Sequence, residues 1–142
     1  MPTSTRFAVA THILTALAVT GDKPLRSEDL AVTVNTGAVV IRGLLSRLAE
    51  AGLTRSQLGS GGGALLAKAA NEIRLLDVYC AVEDTELFAV HRQPPSAVCP
   101  VGANILGAIN PTLARARAAM EAELGRTTIA EIAETVSAAA RV

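Results

Sequence analysis

Along the second fifth of the chain, apolar residues recur at the three- and four-residue spacing of helices. Ser27 is of a type that caps helix N-termini, and the acidic residues behind it suit the positive end of a helix dipole. A short helix is therefore predicted from Glu28 to about Val32. A second helix is predicted over residues 37–51, with Gly52 as its left-handed C-cap. The apolar face predicted for this second helix consists of Val40, Ile41, Leu44, Leu45 and Leu48.

Two short extended segments follow, separated by a glycine-rich turn. Residues 53–56 (LTRS) and 64–67 (ALLA) have the length of strands, and the run GSGGG at 59–63 permits a tight reversal between them. The segment at Leu25 is expected to pair with this flap. Two helices joined by a turn and followed by a two-stranded flap are the layout of a winged helix-turn-helix. Its second helix enters the DNA major groove, so the leading hypothesis is that the chain binds duplex DNA.

Helical periodicity predicts three further helices outside this stretch. The first covers residues 6–19 after a cap at Ser4 or Thr5, and another covers residues 73–83. The last follows a cap at Thr127 or Thr128 and runs to about residue 140, with an apolar face of Ile129, Ile132, Ala133 and Val136. The side chains predicted to be buried in the 73–83 helix are Leu76, Val78, Tyr79 and Val82.

The segment from Pro100 to Leu124 has the apolar spacing of a seam between two helices. The seam residues are Leu106, Ile109, Leu113, Ala116, Met120 and Leu124. Pro111 interrupts the pattern, and a helix that breaks there and restarts after Asn110 is one expectation. Before this segment, residues 87–90 are compatible with a short extended piece, and the proline-containing residues 91–99 predict a loop.

Composition and charge narrow the class of protein. The chain has 142 residues, half of them apolar and only 2% aromatic, which favours a mainly α domain whose core is built from aliphatic side chains. Net charge is zero, but residues 1–68 carry seven Lys/Arg against four Asp/Glu, and residues 69–142 carry six against nine. The basic bias therefore falls on the half predicted to bind DNA. No membrane span or signal peptide is evident, and two cysteines make no disulfide framework, so a cytoplasmic location is expected.

Several short motifs occur together in one order. They are Arg6-Phe7-Ala8-Val9, Ser27-Glu28-Asp29-Leu30-Ala31, Val39-Val40-Ile41-Arg42, Ala51-Gly52-Leu53, the Gly-Gly wing with Leu66-Ala67, LLDVYCAVE, and Cys99-Pro100-Val101-Gly102. In these motifs the chain resembles the Rrf-two family of bacterial transcriptional regulators, which includes the iron–sulfur cluster regulator, nitric-oxide-responsive repressors and a cysteine-metabolism repressor. The resemblance covers nearly the whole chain. It implies a winged helix-turn-helix over residues 1–86, and a sensor loop with dimerisation helices over residues 87–142.

The resemblance also implies how such a chain would bind DNA. Members of the family form homodimers through one long C-terminal helix, which favours an unbroken, kinked helix after Pro100 over the restart described above. Each subunit places one recognition helix and one wing on a palindromic operator, as a repressor does. The residues expected to contact DNA are Thr36, Ala38, Val39, Arg42, Arg55, Ser56 and Ser60.

Arg42 is the residue expected to read base identity, because a guanidinium can grip guanine O6 and N7 together. The alternative is that Arg42 is an ordinary solvated helix residue. Gly43 follows it where relatives often carry a second basic residue, and Leu58 stands in the wing where many have arginine. The predicted interface is therefore less basic than is usual for the family.

Cluster-binding relatives use three cysteines in the loop before the long helix, whereas this loop contains Cys99 alone. The positions at cluster spacing hold Gln93, Ile105 and Leu87, none of which ligates iron, so no cofactor or metal is expected. Cys80 is expected to be a buried small hydrophobic residue.

Cys99 lies at the start of a helix, where a thiolate is stabilised, and His91 and Arg92 in the same loop are expected to lower its pKa further. One hypothesis is a redox or electrophile switch at this thiol. The other is that Cys99 is structural. A small-molecule pocket lined by residues 91–98 is a third possibility.

Other function classes are disfavoured by what the sequence lacks. There is no paired-carboxylate, Cys–His–Asn or metal-ligand spacing, and the glycine run has no following Lys-Ser/Thr of a phosphate loop, so an enzyme is not expected. A winged helix that binds another protein instead of DNA is the main alternative, because the net charge is zero and the wing is uncharged.

Overall fold

Across residues 4–84 and 86–141, the computed structural model contains six α-helices, a short 3-10 helix and a two-stranded antiparallel sheet. In chain order these are α1 (Arg6–Thr20), α2 (Ser27–Val34), α3 (Ala38–Glu50), β1 (Thr54–Gln57), β2 (Gly63–Leu66), the 3-10 helix (Ala70–Glu72), α4 (Leu75–Val82), α5 (Pro100–Leu124) and α6 (Ile129–Ala140). The predicted mainly α class is confirmed. The chain packs as two compact units, residues 1–83 with 124–142 and residues 84–123.

The core of the first unit is aliphatic, as the composition predicts. α1 lies at its centre and packs against α2, α3, α4, α6 and β2. The largest fully buried side chains are Ile13, Leu14, Leu17, Leu30, Ile41, Leu48, Leu53, Ile73, Ile129, Val78 and Val82. Burying each of these stabilises the fold by about 1.5–3 kcal/mol before conformational entropy is subtracted. At the edge of the core, the rings of Phe7 and Tyr79 meet edge to face with centroids 6.0 Å apart.

The start of α2 differs from the sequence prediction. Arg26, not Ser27, occupies the N-cap position, and the Asp29 carboxylate accepts a hydrogen bond from the Arg26 backbone N–H at 3.2 Å. The cause is tertiary: Leu25 pairs with Ala64 of the wing, as predicted, and the backbone remains extended through Arg26. An N-cap needs this extended backbone, so the helix begins at the next residue.

The helix-turn-helix is formed by α2 and α3. Asn35 ends α2 in the left-handed conformation, with φ 61° and ψ 53°, and the two helices are bent by 109° at their junction. That angle lies within the range of DNA-binding helix-turn-helix motifs. In the part of the chain that the structure describes, no single helix is long and apolar enough to cross a membrane.

The wing is the antiparallel pair β1–β2, in a register running from Thr54↔Leu66 to Gln57↔Gly63. Each strand is shifted by one residue from its predicted bounds. Gly63 has φ 155°, and a Cβ at this position would lie 2.5 Å from the Leu25 carbonyl oxygen. Glycine is therefore required where the Leu25 segment runs alongside the first residues of β2.

α4 begins at Leu75 and not at the predicted residue 73. Ile73 is buried outside the helix, and its carbonyl accepts a hydrogen bond from the Ile129 N–H at 2.8 Å. This contact keeps the Ile73 backbone extended and ties α4 to the start of α6. Of the two predicted caps for α6, Thr128 is the one used: its hydroxyl accepts from the Glu131 N–H at 3.2 Å.

The second unit consists of the residues before α5 and most of α5 itself. α5 runs unbroken from Pro100 to Leu124 with Pro111 inside it, so the predicted restart is wrong and the single long helix is confirmed. The short extended piece considered at 87–90 does not form, because residues 86–99 contain neither helix nor strand. None of the seam residues of α5 is fully buried in the single chain.

The predicted boundary between a DNA-binding domain (residues 1–86) and a sensor and dimerisation region (residues 87–142) is a functional division, and it remains a prediction. By packing alone, α6 belongs with the first unit, where it lies against α1 and the 3-10 helix.

Candidate nucleic-acid interface

The outward face of α3 carries two of the four residues predicted to contact bases, Val39 and Arg42. Ile41, Leu44 and Leu48 point into the core, and the opposite side of the helix is exposed. Val39 is 77% exposed and Arg42 is also exposed, whereas Thr36 and Ala38 are half-buried at the helix start.

Val40 was predicted to be in the core, and that prediction is wrong because its side chain is 49% exposed. It lies beside Val39 on the turn of α3 that would approach DNA. The apolar periodicity assigned Val40 to the core because it falls within the same stripe as Ile41. Two adjacent exposed valines are suited to contact with thymine methyl groups.

Arg42 is held by an ion pair across the helix-turn-helix. Its Nη2 donates to Glu28 Oε1 of α2 at 2.8 Å, and both side chains are a little over half exposed. The pKa of Glu28 lies below its ordinary value, first because the carboxylate accepts a hydrogen bond from its own backbone N–H and further because of Arg42. Sequence analysis missed Glu28, because a contact between residues fourteen positions apart leaves no periodic signal.

A groove of about 390 Å³ joins α3 to the wing. Arg42 lines it from α3, Arg55 and Ser56 line it from β1, and Ser27 lines it from α2. The structure therefore brings together three of the residues predicted to contact DNA. Two guanidinium groups and two hydroxyls along one concave strip are the groups that bind phosphate oxygens.

The tip of the wing carries no charge. Ser60 is exposed within the turn, and Leu58 is 90% exposed beside it. Gly59 and Gly61 have φ of 91° and 77°, so the turn depends on glycine, and the Gly62 amide donates within the turn to the Gly59 carbonyl at 3.0 Å. Because Leu58 cannot replace an inserted arginine, contact at the tip is limited to neutral groups.

Arg47 is the one cation of α3 that faces away from this interface. Its guanidinium donates to the Val82 carbonyl at 3.2 Å and joins α3 to the end of α4. Arg47 is therefore one of the basic side chains in the N-terminal half that stabilise the fold.

Cys99 is exposed immediately before α5. The pKa of its thiol lies below the ordinary value because the sulfur accepts hydrogen bonds from the backbone N–H groups of Gly102 and Val101. His91 and Arg92 were expected to lower this pKa too, but the shift arises from the backbone amides. The loop is fixed at this point, since the Ser96 hydroxyl accepts from the Cys99 N–H at 3.1 Å.

Cys80 was expected to be buried, and that expectation is wrong because its side chain is exposed. α4 directs Val78 and Val82 into the core, and a residue midway between them lies on the opposite side of the helix.

Comparison with known proteins identifies relatives along nearly the whole chain. A family model described as Rrf2, iron-dependent transcriptional regulator, matches residues 3–135. YwnA of Bacillus subtilis (strain 168), named as an HTH-type transcriptional regulator, is 40% identical over 130 residues, which are 91% of this chain and 95% of YwnA.

Solved structures agree with this match. An oxidised form of Staphylococcus aureus CymR has a TM-score of 0.71 at 26% identity, covering 94% of this chain and 97% of that one. CymR of B. subtilis, called the global cysteine regulator, has a TM-score of 0.72 at 23% identity over 95% and 98% of the two chains. T. potens IscR has a TM-score of 0.73 at 19% identity over 96% and 88%. Because the identities to B. subtilis CymR and T. potens IscR are low, these two structures support the fold alone.

The side chains present do not fit the iron or iron–sulfur site that such a family description implies. Across residues 4–84 and 86–141, no group of three or more His, Cys, Asp or Glu side chains is arranged to hold a metal ion. Cys99 has no second cysteine in its loop, and Cys80 lies on α4 in the other compact unit.

Proposed function

The chain belongs to the Rrf2 family of DNA-binding transcriptional regulators, and on that premise we propose that it acts as a homodimeric repressor on a palindromic operator, with Cys99 as a control point. Transcription regulation by DNA binding is the activity of the family, and the relatives are not enzymes. The oligomeric state, the operator symmetry and the control are parts of this proposal, as is the cytoplasmic location.

The observation that carries the DNA contacts is the groove between α3 and the wing. Arg42, Arg55 and Ser56 lie along one concave strip, and Val39 stands exposed on the same helix. In this proposal α3 enters the major groove, where Arg42 grips a guanine and Thr36, Ala38 and Val39 approach neighbouring base edges. Arg55, Ser56 and Ser60 bind the flanking phosphates.

The homodimer is supported by the apolar seam of α5, whose side chains are only half-buried in the single chain. Its apolar side chains recur at coiled-coil spacing from Leu106 to Leu124, yet none of them is fully buried in the single chain. A second copy of α5 is the partner that such a stripe fits. Two-fold pairing would present two copies of α3, which is why the operator is proposed to be palindromic.

Control at Cys99 is supported by its exposure and by its lowered pKa, which favours the thiolate. In this proposal a peroxide oxidises the thiolate by two electrons, giving a sulfenic acid at Cys99 and releasing hydroxide. The reacted sulfur can no longer accept the Gly102 and Val101 hydrogen bonds in the same way, and the start of α5 moves. The existence of an oxidised form of S. aureus CymR is in line with such chemistry in the family.

Selection of genomic DNA fragments by the purified chain tests the proposed function. The expected result is enrichment of one palindromic sequence, with affinity that falls steeply as salt rises, because several Lys and Arg side chains displace counterions from phosphate. Fragments enriched without a common sequence, or binding that does not change with salt, would contradict the proposal. Either result would favour a winged helix that binds another protein.

A further inference from the structure

A cavity between α1, α2 and α6 lies away from the proposed DNA-binding groove. It has a volume of about 630 Å³, within the range of pockets that hold small molecules. Its walls are mostly aliphatic side chains and threonine methyl groups. Ala8, Ala16 and Val19 of α1 face Ile132 and Val136 of α6 across it.

Two polar features lie within these apolar walls. His12 Nε2 and Thr33 Oγ1 share a hydrogen bond of 3.1 Å that connects α1 to α2. The Thr11 hydroxyl oxygen is buried and has no hydrogen-bond partner among the residues that the structure describes. Because this oxygen is buried, it does not reach the cavity surface, and the His12–Thr33 pair is the polar group that a ligand can meet.

The charge at the rim is already neutralised. Asp29 lines the cavity from α2, and its carboxylate accepts from both the backbone N–H and the Nε of Arg26, at 3.2 and 3.4 Å. The pKa of Asp29 lies below its ordinary value, first because of the side-chain hydrogen bond from Arg26. The one carboxylate of the lining is therefore already paired, and the cavity chemistry favours a neutral ligand.

We propose that this cavity binds a small, neutral and mainly apolar molecule that carries one hydroxyl or carbonyl group. The apolar body packs between α1 and α6, and the polar group meets the His12–Thr33 pair. The position of the cavity suits an effector site, because Asp29 and Thr33 belong to α2, which packs directly on α3. A ligand that prefers one position of α2 shifts the orientation of α3 toward that state. This regulatory part rests on the proposed DNA-binding function, whereas the binding part does not.

The binding part is tested with 1-naphthol, a neutral two-ring aromatic molecule with a single hydroxyl, and the full chain without DNA. Isothermal titration calorimetry is expected to show saturable binding. No saturable binding up to about 1 mM, the weak end of specific affinity, overturns the proposal.

Two variants locate the bound molecule. Ala8→Leu adds bulk on an exposed part of the wall and is expected to weaken 1-naphthol binding by about tenfold. Thr33→Val removes the hydroxyl that pairs with His12 and is expected to weaken it about fivefold. Ala138→Leu is the matched control: it makes the same alanine-to-leucine change on α6, outside the cavity lining. This variant should bind 1-naphthol as tightly as wild type does. Thermal melts establish that each variant is folded, and wild-type affinity in both cavity variants overturns the proposal.

The regulatory part uses the operator fragment from the genomic selection. Saturating 1-naphthol is expected to change operator affinity at least about fivefold in wild type, and Ala8→Leu is expected to need about tenfold more 1-naphthol for the same change. If wild type binds 1-naphthol but selects no DNA, the proposed function fails while the ligand site stands. If operator affinity does not respond to 1-naphthol, the regulatory part is wrong. If Ala8→Leu lowers the sedimentation mass and no 1-naphthol binds, a second copy covers the cavity and the ligand proposal is overturned.

Discussion

At the scale of single residues, the ion pair between Arg42 and Glu28 sets the position of the side chain that we propose reads base identity. The carboxylate holds the guanidinium at 2.8 Å in the free protein. The same carboxylate repels phosphates, so it disfavours DNA at which Arg42 finds no guanine to bind. An exposed pair of this kind adds little to stability, and its effect is expected on specificity.

Replacement of Glu28 by Gln tests this effect. Random duplex DNA is expected to bind at least about threefold more tightly, because a negative charge near the phosphates is removed and Arg42 is released. The ratio of operator to random affinity should fall. Fluorescence anisotropy at fixed salt measures both affinities, with Glu50→Gln at the other end of α3 as the matched control. An unchanged ratio would show that Glu28 has no part in specificity.

Cys99 provides a pH-dependent prediction at the same scale. Because hydrogen bonds from two backbone amides lower the pKa of its thiol, the thiolate persists to lower pH than in a free cysteine, whose pKa is about 8.5. The rate of iodoacetamide alkylation in Cys80→Ser, which retains Cys99, should rise with pH to a midpoint below that value. A midpoint at or above about pH 8.5 would contradict the lowered pKa of Cys99. The Cys99→Ser variant retains Cys80 and measures how fast Cys80 itself is alkylated.

At the scale of elements, α3 and the wing form the proposed DNA-binding surface, and most of their bounds follow from the sequence. Helical spacing placed α3 correctly to within one residue at each end, because Ile41, Leu44 and Leu48 give it a single buried side. What the sequence could not supply were contacts made across the fold. The start of α2 depends on Leu25 pairing with Ala64, which lies nearly forty residues further along the chain.

The same limit applies to the candidate site. Sequence analysis named Arg42, Arg55 and Ser56, and the structure places them on one groove. It assigned Val40 and Cys80 to the interior because it treated every apolar residue near a stripe as part of the stripe. It also missed the cavity beside α6, whose walls come from three separate helices and leave no local pattern.

Gly43 gives a prediction at the scale of α3. A Cβ at this position meets nothing within 4 Å, so replacement by alanine is tolerated sterically. Gly43→Ala is expected to raise the free energy of unfolding by about 1 kcal/mol, because glycine is the weaker helix former. Urea denaturation measures this, and a loss of stability would contradict it. Gly43→Lys should in addition strengthen DNA binding and steepen its salt dependence, since it adds a cation next to Arg42.

At the scale of the whole molecule, two copies of α3 are needed for a palindromic operator, and α5 is the element proposed to pair them. Leu113 lies midway along its apolar seam and is partly exposed in the single chain. An apolar helix side of this length would otherwise remain in contact with water, which is rare in stable monomers.

Leu113→Glu is expected to shift the chain toward monomer at micromolar concentration, because the dimer would have to bury a carboxylate without a partner. Sedimentation velocity measures the mass, and Ala118→Glu on an exposed position of α5 serves as the control. A monomeric wild type, or a Leu113→Glu variant that remains dimeric, would show that this seam does not form the dimer.

The central claim, that Arg42 on α3 reads the operator, is tested most directly by a single binding measurement. Wild type and Arg42→Ala are titrated onto the selected operator and onto the same duplex with its guanine positions exchanged, at one salt concentration. The account predicts that Arg42→Ala loses about 1–3 kcal/mol of operator affinity and no longer distinguishes the two duplexes at one position in each half-site. Operator binding by Arg42→Ala with wild-type affinity and selectivity would contradict it.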